Sequence, residues 1–342
     1  MTGARPMRIG IVNAMPMAGE ALRRTIATMA EHRVAWVTYG AAEAVRFCLN
    51  DRPDLVLVDL SPPGSDGIEA TRRIMAEAPC AVLLLTPDVD ANTSGVFEAM
   101  GHGAVDVVSM ASAQDGTLLR KIEGIGRLVR ERLCSTPGAG LARPASPSPH
   151  LVAVGASAGG PAALAALLQG LPENFPATIV IIQHVDERFA AGMAEWLDGQ
   201  APIPVSLARE NEAPLPGRVL LAAGDQHLAL RSSILLGYTP EPRDYVYRPS
   251  VDVFFHSVAR LWKGAATGVL LTGMGRDGAE GLKALRQKGF HTIAQDRPTS
   301  AVYGMPKAAA DIGAATEILP LSSIAPRLIR AVTGRRPEEA PT

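Results

Sequence analysis

Residues 151–161 read Leu-Val-Ala-Val-Gly-Ala-Ser-Ala-Gly-Gly-Pro and run on into the Ala/Leu-rich stretch 162–169. An apolar run of strand length, a glycine-flanked turn and a helical pattern opened by proline together make a strand–turn–helix unit. The same order repeats downstream. Strands are expected at Leu151–Val154, Ile179–Ile182, Val205–Ala208, Val219–Ala222, Gly268–Leu271 and Thr292–Ala294. Helices are expected at Pro161–Gln169, Ala191–Leu197, Val251–Leu261, Gly278–Gln287 and Ala325–Val332. Continuous apolar strands alternating with helices predict an α/β, doubly wound, mainly parallel sheet. The proline-bearing stretch Arg209–Asp244 is expected to hold short antiparallel strands.

Upstream, residues 134–150 (CSTPGAGLARPASPSPH) have no apolar period and read as a flexible linker. Before it, strands are expected at Arg8–Val12, Val34–Thr38, Leu55–Asp59, Ala81–Leu85 and Ala104–Val108. Five helices are expected with them, for example at Gly19–Ala30, Ile68–Glu77 and Val96–Gly101, with the last at Thr117–Leu133. Alternation over about 130 residues has the size of a flavodoxin-like domain. The expected organisation is therefore one α/β domain at 1–133, a linker at 134–150, a second α/β domain at 151–334 and a tail at 335–342.

Composition narrows the function. In 342 residues, 33 Lys+Arg face 34 Asp+Glu, and only 4% are aromatic. Neither the basic footprint nor the stacking platforms of a nucleic-acid binder are present, so no nucleic-acid partner is expected. The three cysteines, Cys48, Cys80 and Cys134, form no Cys-x-x-Cys pair, which argues against a disulfide framework and fits a reducing compartment. The start Met1-Thr-Gly-Ala-Arg-Pro6 lacks the apolar core of a signal peptide, and no apolar run reaches the roughly 18 residues of a span. A cytoplasmic protein without membrane insertion is expected.

Three strands of the second domain end in chemically capable side chains. The first runs into Ser157 within Gly155-Ala-Ser-Ala-Gly159, a G-x-S-x-G string whose glycines permit a sharp turn exposing the hydroxyl. Ile179–Ile182 runs into His184, and Gly268–Leu271 into Asp277. Taken singly, Ser157 reads equally well as a helix cap, His184 as a structural histidine and Asp277 as a cap. Together, at the carboxyl edge of one parallel sheet, they supply a nucleophile, a base and a carboxylate to orient the base. A rival reading stays open, because Gly273-Met-Gly-Arg-Asp-Gly278 matches G-x-G-x-x-G and Asp296 stands where a ribose-binding acid would. Against it, Asp277 would set a negative charge beside the pyrophosphate. A non-catalytic signalling adaptor is the other alternative.

The segments VAVGASAGGP (152–161), IVIIQHV (179–185), YRPSVDVFF (247–255), LLTGMGRDGAEG (270–281) and AVYGMPKAA (301–309) resemble the catalytic domain of chemotaxis-type protein-glutamate methylesterases, the CheB family. The resemblance implies hydrolysis of γ-glutamyl methyl esters, and in some members deamidation of glutamines, on the cytoplasmic domain of methyl-accepting chemoreceptors. It places the catalytic serine, histidine and aspartate on Ser157, His184 and Asp277, and oxyanion contacts on the backbone at Ala158 and Met274. The residue after the nucleophile is commonly threonine in the family; Ala158 keeps the N–H and lacks the hydroxyl. No cofactor is implied for this chemistry.

The first domain resembles the receiver that this family carries. Asp59 is the implied phospho-acceptor, Thr86 the switching hydroxyl and a CheA-like histidine kinase the implied phosphodonor. The acidic pair that receivers use to hold Mg²⁺ is replaced by Asn13-Ala14, and the Lys-Pro after the fifth strand by Ser109-Met110. With Asn13 and Asp59 as the remaining ligand candidates, weak Mg²⁺ binding is expected. The runs GIVNAMPMAGEALRR (10–24), ATRRIMAEAPC (70–80) and FEAMGHGA (97–104) are similar to the methylesterase branch of Wsp-type surface-sensing systems.

Overall fold

The computed structural model describes residues 6–29, 32–61, 66–87, 89–110, 118–123, 125 and 150–334. The chain divides into two compact units, Met1–Cys134 and Ser135–Thr342. The expected linker, apart from His150, and the expected tail lie outside the described residues, as does most of the helix expected over Thr117–Leu133.

The first unit holds a five-stranded parallel sheet of β1 (Met7–Val12), β2 (His32–Thr38), β3 (Leu55–Asp59), β4 (Ala81–Thr86) and β5 (Asp106–Ser109), in the order β2-β1-β3-β4-β5. Helices α1 (Pro16–Ala27), α2 (Ala41–Asn50), α3 (Gly67–Glu77) and α4 (Val89–Gly101) connect the strands. All five residues of β3 are buried, as the central strand of a sheet covered on both faces requires.

The second unit is built on a seven-stranded parallel sheet. Its strands are β6 (His150–Ala156), β7 (Ala177–Gln183), β8 (Val205–Leu207), β9 (Arg218–Leu221), β12 (Ala265–Leu270), β13 (His291–Gln295) and β14 (Glu317–Leu319). They lie in the order β14-β13-β12-β6-β7-β9-β8. β10 (His227–Leu230) and β11 (Leu236–Thr239) form a separate antiparallel pair. The helices are α5 (Gly160–Gln169), α6 (Glu187–Asp198), α7 (Val251–Leu261), α8 (Ala279–Gln287), α9 (Met305–Asp311) and α10 (Leu321–Thr333).

Chain order sets where a site forms. From β6 the strands first build outward through β7; the chain then returns to lay β12 on the other flank of β6. The crevice at the carboxyl ends of β12, β6 and β7 is thus a topological switch point, where open parallel sheets take their ligands. α7 anchors this region by burying Val251, Phe254, Phe255 and Val258 against Leu282 and Leu285 of α8 and against sheet residues including Val180 and Leu270. Each such side chain contributes about 2 kcal/mol relative to exposure.

Candidate active site

The three strand-end residues come together. β6 and β7 pair in register with Ala156 opposite Gln183, so Ser157 and His184 are the next residues on neighbouring strands, and the His184 N–H donates to the Ala156 carbonyl at 3.1 Å. Ser157 is tied to the other flank, its N–H donating to the Thr272 carbonyl at 3.0 Å. A Cβ on Gly273 would lie 2.9 Å from the Ser157 Cβ, so glycine there lets the turn after β12 approach the serine closely. Ser157 caps no helix: α5 is preceded by Gly159 at φ 73°, in the left-handed region, and no side chain caps it. α8 likewise follows Gly278 at φ 88°, without a side-chain cap, which leaves the Asp277 carboxylate for other partners.

Those partners are four donors. His184 Nε2 lies 2.7 Å from Asp277 Oδ2, and the two side chains are each only 7% exposed. The N–H of Val251 donates to Oδ2 at 2.7 Å and that of Asp252 to Oδ1 at 3.0 Å, while Ser250 Oγ donates to Oδ1 at 2.8 Å. The carboxylate thus sits on the N-terminus of α7, where unpaired N–H groups and the helix dipole favour an anion. Burial raises the Asp277 carboxyl, but the His184 hydrogen bond and charge and the N–H groups of Asp252 and Val251 outweigh it and hold the group below its ordinary value.

The imidazole's orientation follows. An ionised Asp277 only accepts, so Nε2 carries the proton and Nδ1 presents a lone pair. Nδ1 is buried and has no hydrogen-bond partner among the described residues. The serine protease template places the aspartate on Nδ1; here Asp277 takes Nε2 instead, which leaves Nδ1 as the ring nitrogen without a partner among the described residues. The Tyr247 ring lies flat on the imidazole, with centroids 4.2 Å apart and planes within 7°. Ala158 is buried and Met274 partly exposed, and neither N–H donates a hydrogen bond among the described residues.

The family model described as CheB methylesterase matches residues 152–328, just over half the chain. The chain belongs to the CheB methylesterase family. In this CheB-family chain the model described as response regulator receiver domain matches residues 9–122. The chain is 57% identical over 338 residues to a protein-glutamate methylesterase/protein-glutamine glutaminase of Burkholderia pseudomallei, covering 96% of this chain and 99% of that one. A protein of the same description from Pseudomonas aeruginosa is 56% identical, covering 94% and 98% respectively. The crystal structure of the Thermotoga maritima CheB methylesterase catalytic domain matches with a TM-score of 0.52 and 35% identity, over 54% of this chain and 98% of that one.

Several residues that hold this CheB-family site have no signal in the sequence. Gln183 Nε2 donates to the carbonyls of Ser157 at 2.9 Å and His184 at 3.1 Å. Thr272 Oγ1 donates to the Ala158 carbonyl at 2.9 Å. Asp252 Oδ1 accepts from the Gly281 N–H at 2.6 Å, and burial, with the charge of Asp277 adding to it, pushes its carboxyl up to about 6. Asp296, the ribose acid of the dinucleotide alternative, instead accepts from Thr299 N–H at 3.0 Å and Thr299 Oγ1 at 2.6 Å.

In the first unit, Asp59 ends β3 and is 8% exposed. Its carboxylate accepts from Asn13 Nδ2 at 2.7 Å, and from the N–H and hydroxyl of Ser61 at 2.9 and 2.7 Å. An amide nitrogen aims where a cation's oxygen ligand would be wanted, and among the described residues no group of three His, Cys, Asp or Glu could hold a metal ion. The donor set does not fit Mg²⁺, which prefers oxygen ligands with carboxylates among them. Thr86 is fully buried at the end of β4 and accepts from Asn92 Nδ2 at 3.2 Å. Lys121 does not replace the missing lysine, because it pairs with Asp106 at 2.8 Å, at the amino end of β5 and away from Asp59. Among the described residues no helix is long and apolar enough to cross a membrane.

Proposed function

We propose that this protein hydrolyses γ-glutamyl methyl esters on the cytoplasmic domains of methyl-accepting chemoreceptors, and deamidates glutamines there, with Ser157 as nucleophile, His184 as general base and acid, and Asp277 as its orienting carboxylate. The observation that carries this reading is the buried His184–Asp277 pair at 2.7 Å, which leaves an unpartnered imidazole nitrogen beside the strand that ends in Ser157. Relatives more than half identical over nearly the whole chain are described as protein-glutamate methylesterase/protein-glutamine glutaminases, which supports the substrate class.

In this reading Ser157 Oγ attacks the ester carbonyl while His184 Nδ1 takes its proton. The imidazolium, hydrogen-bonded through Nε2 to Asp277, is stabilised by that carboxylate. The N–H groups of Ala158 and Met274 are the donors for the developing oxyanion. Collapse of the tetrahedral adduct returns the Nδ1 proton to the leaving group, as methanol from an ester or ammonia from a glutamine. Water then resolves the acyl-enzyme by the reverse route. The chemistry calls on no metal or organic cofactor. The receiver motifs support a Wsp-like, cytoplasmic pathway with a CheA-like kinase. A comparison of turnover on methylated receptor fragments from surface-sensing and flagellar systems tests that placement.

Ser157→Ala and His184→Ala are each expected to lower turnover on methylated receptor fragments by about 10⁴-fold or more, with the double variant little worse than either single one. Near-normal turnover in Ser157→Ala would overturn the assignment. Asp296→Ala is expected to leave activity unchanged, and titration with NAD to show no binding; either result going the other way would restore the dinucleotide reading.

A further inference from the structure

Between β11 and α7 the chain runs through Pro240–Ser250 without strand or helix, yet one buried side chain fastens both ends of the run. His227 of β10, fully buried, donates from Nε2 to the Pro242 carbonyl at 3.0 Å and accepts at Nδ1 from the Ser250 N–H at 3.1 Å. The fastened segment reaches two of the three proposed catalytic groups. Its end supplies the Ser250 hydroxyl to Asp277, and its middle lays Tyr247 flat against His184. The turn after β12 runs beside that ring. A Cβ on Gly275 would lie 3.7 Å from the Tyr247 hydroxyl oxygen, an ordinary van der Waals contact.

Among the described residues the His184 ring has one hydrogen bond, at Nε2, which fixes one point of the ring and leaves its plane free to tilt about that point. A face-to-face stack removes that freedom, because the imidazole plane must stay parallel to the Tyr247 ring to keep the contact. We propose that Tyr247 is a positioning residue of the catalytic unit: its ring, held by the segment that His227 fastens, sets the His184 plane so that Nδ1 faces the serine. The proposal rests on the Ser157–His184–Asp277 reading. It assigns the work to the ring rather than to the hydroxyl.

The test uses the full chain and a methylated chemoreceptor fragment. Tyr247 stands on a partly exposed loop outside the core, so its variants are expected to fold with unchanged circular dichroism. Tyr247→Leu is expected to lower kcat by about 10- to 100-fold with KM changed less than about twofold, and Tyr247→Phe to restore kcat to within about threefold of wild type. The low-field proton resonance of the His184–Asp277 hydrogen bond is expected to stay sharp in Tyr247→Phe and to broaden in Tyr247→Leu. A normal kcat in Tyr247→Leu, or a raised KM with kcat preserved, or equal impairment in Tyr247→Phe would overturn the proposal. Ser157→Ala assayed in parallel separates the two failures. If it retains turnover, the triad reading falls and this proposal with it. If it is inactive while Tyr247→Leu is normal, only the role of Tyr247 falls.

Discussion

At the scale of single residues, the proposed nucleophile and base are joined through an amide on their backbone carbonyls. Gln183 joins the carbonyls of Ser157 and His184, and Gly160 is what admits it, because a Cβ on Gly160 would collide with the Gln183 side-chain carbonyl. Gly160→Ala is therefore expected to push the amide off both carbonyls. The overpacking costs about 1–3 kcal/mol, and a sub-ångström shift of Ser157 against His184 lowers kcat by about 10-fold or more while KM is kept. Thermal unfolding and steady-state kinetics of the one variant check both; full activity with unchanged stability would show that the amide is not needed. Ser157, His184 and Asp277 were legible in the sequence because reactive residue types stand out at the ends of apolar runs. Gln183, Thr272 and Ser250 were not, since a glutamine or hydroxyl counts only through the carbonyl or carboxylate it meets. Thr272 meets the Ala158 carbonyl across 114 residues of chain. Tyr247 and His227 were invisible for the same reason.

Elements follow the same logic. Long apolar strands such as β7, buried at every position, are read from sequence to within two residues. The short strand β14, half-buried throughout, and the seven-residue helix α9 carry too little periodicity to register, and both went unread. Strand ends also carry electrostatics that periodicity does not reveal. His150 opens β6 at the amino edge of the sheet, its Nε2 2.9 Å from Thr267 Oγ1. Burial, helped by the charge of His291, lowers its pKa from 6.5 to about 4. Between those values the unfolded chain binds a proton that the folded chain refuses, so the contribution is whole above about pH 6.5 and declines as pH falls toward 4. At 1.36 kcal/mol per unit, this one histidine removes up to about 3 kcal/mol across that window. Burial lowers His227 and His291 as well, so they act with the same sign. Urea unfolding of the full chain at pH 7 and pH 5 should show the loss, and His150→Gln should shrink it; an equal loss in both proteins would assign the pH dependence elsewhere.

For the whole molecule the question is what a receiver does when Asn13-Ala14 stands in place of its acidic pair. Two unit charges 4 Å apart interact by about 1 kcal/mol in water and about 4 kcal/mol at an effective dielectric near 20, so replacing an acidic pair by Asn13-Ala14 removes a large part of what would hold a hard dication. What remains at Asp59 is a carboxylate already satisfied by Asn13 and Ser61. Slow or undetectable phosphotransfer from a cognate histidine kinase with Mg²⁺ present is therefore expected. Asp59→Asn should leave esterase turnover of the full chain unchanged, and so should addition of kinase, ATP and Mg²⁺ to the unaltered protein. The pair Asn13→Asp and Ala14→Asp should raise Mg²⁺ affinity, read by calorimetric titration. The Thermotoga maritima catalytic domain, crystallised as a separate piece, gives reason to expect that the second unit stands alone. Removing residues 1–145 should accordingly leave a folded esterase, and the ratio of its turnover to that of the full chain measures what the first unit contributes. Rapid labelling of the full chain that vanishes in Asp59→Asn would overturn this account and show a receiver that takes phosphate without the acidic pair.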